Sequence, residues 1–144
     1  MIGTFVAVVA IAMTTPADGP VPFRTVAKGT DSRVRTHHEL VARTAGSWHV
    51  IWYEHTGTHQ PPDIDFRREL IVAVFGGKRP DGDSLDIVSV TREGSSVVVR
   101  YREQAEAGVK AIVTPTTITP FHIIAIPGNP ATVKFVALRA PSAN

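Results

Sequence analysis

Six consecutive apolar residues, Leu70 to Phe75, are followed within seven positions by Gly76, Gly77, Pro80 and Gly82. An apolar run of this length bounded by turn residues reads as a strand and is too short for most helices. Successive side chains of a strand point to opposite faces. Leu70, Val72 and Val74 therefore share one side, and Ile71, Ala73 and Phe75 share the other. Neither face suits water, so a layer must cover each of them. The rest of the chain has to supply those layers.

A chain of 144 residues is one domain by size and can bury a single core without a staple. It contains no cysteine, which excludes disulfides and thiolate metal sites. Formal net charge is +2, with Lys and Arg scattered among the acids. That pattern offers no electrostatic footprint for nucleic acid.

The opening MIGTFVAVVAIAMTTPADGP carries an apolar stretch from Phe5 to Met13, followed by small, polar and proline residues. Ala10 and Ala12 stand at the small-residue spacing of a secretory cleavage site, although no basic residue precedes the stretch. The alternative is a buried N-terminal strand. The stretch is too short to span a bilayer. The expectation is a signal and processing region over 1–19, a single domain over 20–139 and a frayed tail over 140–144, with the mature protein secreted or held in the cell envelope or periplasm without a membrane span.

Weak alternation over Phe23 to Ala27 and a short segment over Glu39 to Arg43 predict two strands. Trp48, Ile51, Trp52 and His55 recur at the spacing of one helical face. Ser47 or Thr44 can cap this helix, and Gly57 stands where a left-handed C-cap is needed. Its two tryptophans share the stripe with Ile51, so they read as core packing on the central strand rather than as a glycan platform. After the glycine-rich turn, Leu85 and Ile87 shift phase to Val88 and Val90, the mark of a β-bulge or of burial on both sides. Glu93-Gly94 makes a hairpin turn. Val97, Val99 and Tyr101 then face inward, and Glu103 to Lys110 reads as a link. Ile118 to Ile126 predicts a strand with Pro120 at an edge or bulge. Pro127 to Pro130 turns the chain into Thr132 to Leu138. The class is α+β: a mainly antiparallel sheet of about six to seven strands with one short amphipathic helix packed on it.

Gly82-Asp83-Ser84-Leu85 spells the nucleophile block of the GDSL esterase and lipase family. In that family a helix follows the serine, and an Asp-x-x-His block supplies the base. Here a strand is expected after Ser84, and the downstream histidine, His122, has Thr119 three positions before it. A Ser84/His122 hydrolase is thus an alternative lacking a positioned base. His122 shares a strand face with Ile118, Ile124 and Ile126 and reads as a histidine at the core margin. Among the six histidines, His37 and His38 point to opposite faces of an extended segment. His49 and His55 lie about 120° apart on a helix. No pair forms a metal site by local geometry, and no cofactor motif is present.

Four segments carry a resemblance: SWHVIW, DFRRELIVAVFGG, RPDG and PFHIIAIP, in this order between Ser47 and Pro127. On them the chain resembles the C-terminal domain of the PrcB family, named for a protease-complex subunit. Asp83-Ser84 stands where that family tends to have Gly-Tyr. The resemblance implies an exported or envelope-associated accessory protein that supports a partner protein, with a secreted protease as the partner type. The expected function is a non-enzymatic interaction domain that stabilises or presents its partner. Lys78, Arg79, Asp81 and Asp83, on the turn beyond the central strand, are the expected contact residues. A module that binds glycan or envelope polymer through exposed Trp48 or Trp52 is a further alternative.

Overall fold

The computed structural model describes residues 18–105 and 116–139, together with Gly3. The expected signal stretch, most of the 103–110 link and the 140–144 tail lie outside the described residues. In chain order the strands are β1 (Gly19–Pro20), β2 (Arg24–Gly29) and β3 (His37–Ala42), then helix α1 (Ala45–Thr56). There follow β4 (Glu69–Gly76), β5 (Arg79–Pro80), β6 (Ser84–Glu93) and β7 (Ser96–Gln104), and finally β8 (Thr117–Ile118), β9 (Phe121–Pro127) and β10 (Thr132–Arg139).

The fold is α+β, with strands paired mostly antiparallel and one helix. The described strands number ten, more than the six or seven expected, and they form two four-stranded sheets, β1-β6-β7-β10 and β2-β9-β4-β3, plus a β5-β8 ribbon. Three of the ten, β1, β5 and β8, are two residues long and leave no alternation to read. A second difference lies at the C-terminal turn. β9 already has β2 and β4 on its two edges, so the chain cannot fold back as a hairpin there. It crosses to the other sheet, and β10 pairs parallel with β7.

Each face of β4 is covered as its composition demands. Leu70, Val72 and Val74 pack between the sheets against Leu85, Val97, Val99 and Ile124. Ile71, Ala73 and Phe75 turn the other way and meet Trp48 and Ile51 of α1. The molecule is sheet on sheet on helix, and β4 is buried throughout Leu70–Phe75. The phase slip in β6 is a register shift between Ile87 and Ser89, which throws Val88 outward. The N-cap of α1 is Thr44 rather than Ser47: its hydroxyl accepts from the Ser47 N–H at 3.2 Å. Gly57 closes the helix in the left-handed region at φ 76°. Among the described residues, no helix is long and apolar enough to cross a membrane.

The first described segment belongs to the fold. The Asp18 carboxylate accepts from the Gly94 N–H at 2.8 Å, β1 pairs with β6, and Val21 is buried with its N–H on Val90.

Candidate functional site

β3, β6 and β9 begin, and β2, β4 and β7 end, at one end of the sandwich. The β5-β8 ribbon lies across this end. Arg79 pairs with Ile118, the Asp81 N–H reaches Thr116 O at 2.7 Å, and the Gly76 N–H reaches Pro120 O at 2.8 Å. The turn read from sequence beyond the central strand therefore includes a short paired ribbon held to the sheet. A cavity opens on either side of it.

The first cavity, about 610 Å³, is bounded by Asp31, Arg33, Arg35, Lys78 and Thr117, with Ser32 and Thr119 at its back. Its wall is the 31–35 loop, and the ties on that loop explain why it holds a shape. Ser32 N–H donates to Thr119 O at 3.2 Å, and Thr119 N–H to Thr30 O at 2.8 Å. The Thr119 hydroxyl donates to Ser32 O at 2.5 Å. Arg33 N–H donates to His55 O at 2.9 Å and Lys78 N–H to Arg35 O at 3.2 Å, fastening the loop to the end of α1 and to the ribbon. The Arg33 guanidinium lies over Gly57, where a Cβ would come within 1.7 Å of its nitrogen, so this cation also faces the negative end of the helix. Among the described residues, none of Arg33, Arg35 and Lys78 has an acidic partner within 4.0 Å. Among the described residues the cavity is thus basic and polar, with Asp31 as its one carboxylate.

Behind the loop, His55 Nδ1 lies 2.8 Å from the Ser32 hydroxyl, and both residues are buried. The Ser32 oxygen also accepts the Val34 N–H, and the imidazole is packed against Phe75, Phe121 and Trp52. Burial holds the His55 pKa below its ordinary value, only partly countered by Asp31. This serine-histidine contact closes the core under the cavity. No local sequence pattern marks it, because its members lie 23 residues apart.

The second cavity, about 560 Å³, is lined by His37, Arg79, Tyr101 and Glu103, with Ala137 and Leu138. Here the charges are partnered. Arg79 is paired with Glu103 and lies 3.9 Å from Asp83. His37 Nε2 is 3.3 Å from Glu103, and the Tyr101 hydroxyl donates to Glu39 at 2.6 Å. Burial first, then the bond to Glu39, pushes the Tyr101 pKa up. A tyrosine on an inward strand face needs a partner for its hydroxyl. That was the available sequence signal for this network, although its members are too distant in the chain to be named from it.

The four expected contact residues do not share one surface. Lys78 is exposed at the basic cavity. Arg79 is held by Glu103 in the other one, and Asp83, with its side chain 11% exposed, lies beside Arg79. Asp81 is exposed at the ribbon's tip. Ser84 opens strand β6 opposite Gln104, with no helix after it. His122 is 4% exposed, and both of its nitrogens are engaged away from Ser84. Nδ1 accepts the Ile87 N–H at 2.9 Å, which places the proton on Nε2, 2.8 Å from the Thr25 hydroxyl. Burial, with Lys28 nearby, pushes the His122 pKa down to about 4. Trp48 is 2% exposed and donates to Pro62 O, and Trp52 is packed between Trp48 and His55. Trp48 is therefore closed to a ligand, while Trp52 is half-buried. Among the described residues, no group of three or more His, Asp and Glu could hold a metal ion.

Comparison with protein-family models, with curated proteins and with solved structures gives no match at significance.

Proposed function

We propose that the chain is a non-enzymatic interaction domain that stabilises or presents a partner protein, and that the ribbon end of the sandwich is its contact surface. The observation that supports this most is the basic cavity, where Arg33 and Arg35 on a loop tied down by backbone hydrogen bonds, and Lys78 at the edge of the ribbon, have no acidic partner among the described residues. Surfaces held in shape before binding lose little conformational freedom when a partner arrives. An exported accessory of a secreted protease is the setting that the sequence resemblance suggests.

The test is capture of binding proteins from envelope and secreted fractions of the native source, with wild type beside Lys78→Glu and Arg35→Glu. Both side chains are exposed, so the variants keep the wild-type melting temperature. Arg79 is unsuitable as a probe because removing it breaks its ion pair with Glu103. Loss of a defined partner with either variant is the expected result. Equal recovery with wild type and both variants removes this end of the molecule from consideration.

A further inference from the structure

Within the interaction reading just given, and resting on it, we infer that the basic cavity takes an acidic segment of the partner protein, an extended stretch carrying Asp or Glu side chains. Net charge over the whole chain is only +2, yet among the described residues three cations converge here on one cavity with a single acid beside them. Two of the three are guanidinium groups, whose planar forks match a carboxylate in two parallel hydrogen bonds. The volume of about 610 Å³ is that of a site that encloses a few side-chain groups rather than a flat patch.

The remaining lining narrows the ligand class. Asp31 carries a carboxylate at the same mouth, and Thr117 adds a hydroxyl. A peptide supplies both kinds of complement, carboxylates for the cations and backbone N–H groups for Asp31. A polyphosphate chain supplies only anions and would set one of them against Asp31. Single-stranded nucleic acid also needs aromatic faces on which bases stack. Among the described residues no aromatic lines this cavity, and Tyr101 and His37 belong to the other one. The ties from the loop to α1 and to the ribbon keep the cations in place before the ligand arrives.

The experiment is fluorescence anisotropy of labelled probes with the whole chain: an alternating Glu-Ala octapeptide, a Lys-Ala octapeptide of equal length and an oligothymidylate. Each is titrated with wild type and with the Arg35→Glu/Lys78→Glu pair. The Glu-Ala peptide is expected to bind wild type and the Lys-Ala peptide to bind far less. The paired variant should weaken Glu-Ala binding about tenfold, the combined loss of two ion pairs of ordinary exposed strength. Added salt should weaken wild-type binding as well. Undetectable Glu-Ala binding, equal binding by the paired variant, or tighter binding of the oligothymidylate overturns the inference. Its failure is separable from that of the interaction reading. If charge reversal abolishes capture of the native partner while the Glu-Ala peptide fails to bind, the contact surface stands and only the acidic ligand is lost. If the peptide binds as expected while capture is unaffected, the cavity takes acidic peptides but is not the contact with that partner.

Discussion

A methyl group at position 77 would lie 2.9 Å from the His37 backbone nitrogen and 3.0 Å from the Thr36 carbonyl carbon, and Gly77 also adopts φ +72°. Two penalties therefore coincide, a backbone conformation that L-residues rarely adopt and a contact that backbone atoms cannot relieve. Gly94 separates the two. It has φ +64°, but a Cβ there would meet nothing within 4 Å. Gly94→Ala is expected to cost about 1 kcal/mol, the left-handed penalty alone. Gly77→Ala should cost about 3 kcal/mol, because the clash adds to it. Urea unfolding of both variants decides this, and equal losses would mean that the close approach of the 36–37 segment carries no weight. The pair of glycines at 76 and 77 was legible in sequence as a turn. Its second purpose, letting the ribbon and the β3 entry pass close to the end of β4, was not, because that depends on segments some forty residues away on either side.

Helix α1 shows what periodicity reveals and what it misses. The i, i+3, i+4, i+7 stripe placed Trp48 and Ile51 correctly in the core, because one buried face is a local property of the helix, and His55, which reads from sequence as a solvated histidine, is buried on that face with them. The cap was ambiguous between Ser47 and Thr44, since both can accept from the first turn. Geometry selects Thr44, whose extended backbone (φ −136°, ψ 156°) leads into the helix while its hydroxyl meets Ser47. Thr44→Ala should therefore destabilise by about 1 kcal/mol, with Thr44→Ser close to wild type. Chemical denaturation measures the difference, and an unchanged Thr44→Ala would show that Ser47 can take over the cap. The outward face was read as more polar than it is. Val50 is 58% exposed, and Tyr53 stacks on His59 rather than on the core, so the helix is held by its inner tryptophan and isoleucine more than by contrast between its faces.

At the scale of the molecule, the β4 run carried the layered design in its own composition, whereas the division into two sheets was hidden, since the β7 to β10 pairing joins distant segments in parallel. The same layering puts one neutral histidine into each core, and both act as joints. His122, between the sheets, ties β9 to Ile87 of β6 and to Thr25 of β2, with Lys28 and Asp86 as the charged groups nearest to it. His55, between sheet and helix, ties α1 to Ser32, with Asp31 as its charged neighbour. In the unfolded chain each titrates near pH 6.5, while His122 in the fold titrates near 4 and His55 is also lowered. Between those values the unfolded chain binds protons that the fold refuses, so stability rises with pH across this window. The contribution of His122 is full above about pH 6.5 and drains away as pH falls towards 4, and that of His55 falls in the same direction. For His122 alone the loss by pH 5 should be about 2 kcal/mol, with His55 adding in the same direction. Urea midpoints at pH 7.5 and pH 5 should differ accordingly, and His122→Gln, which keeps one acceptor and one donor, should shrink that difference. A wild-type midpoint that does not move between the two pH values would mean that both histidines accept protons without opening the core, and the role of imidazoles as joints between layers would have to be given up.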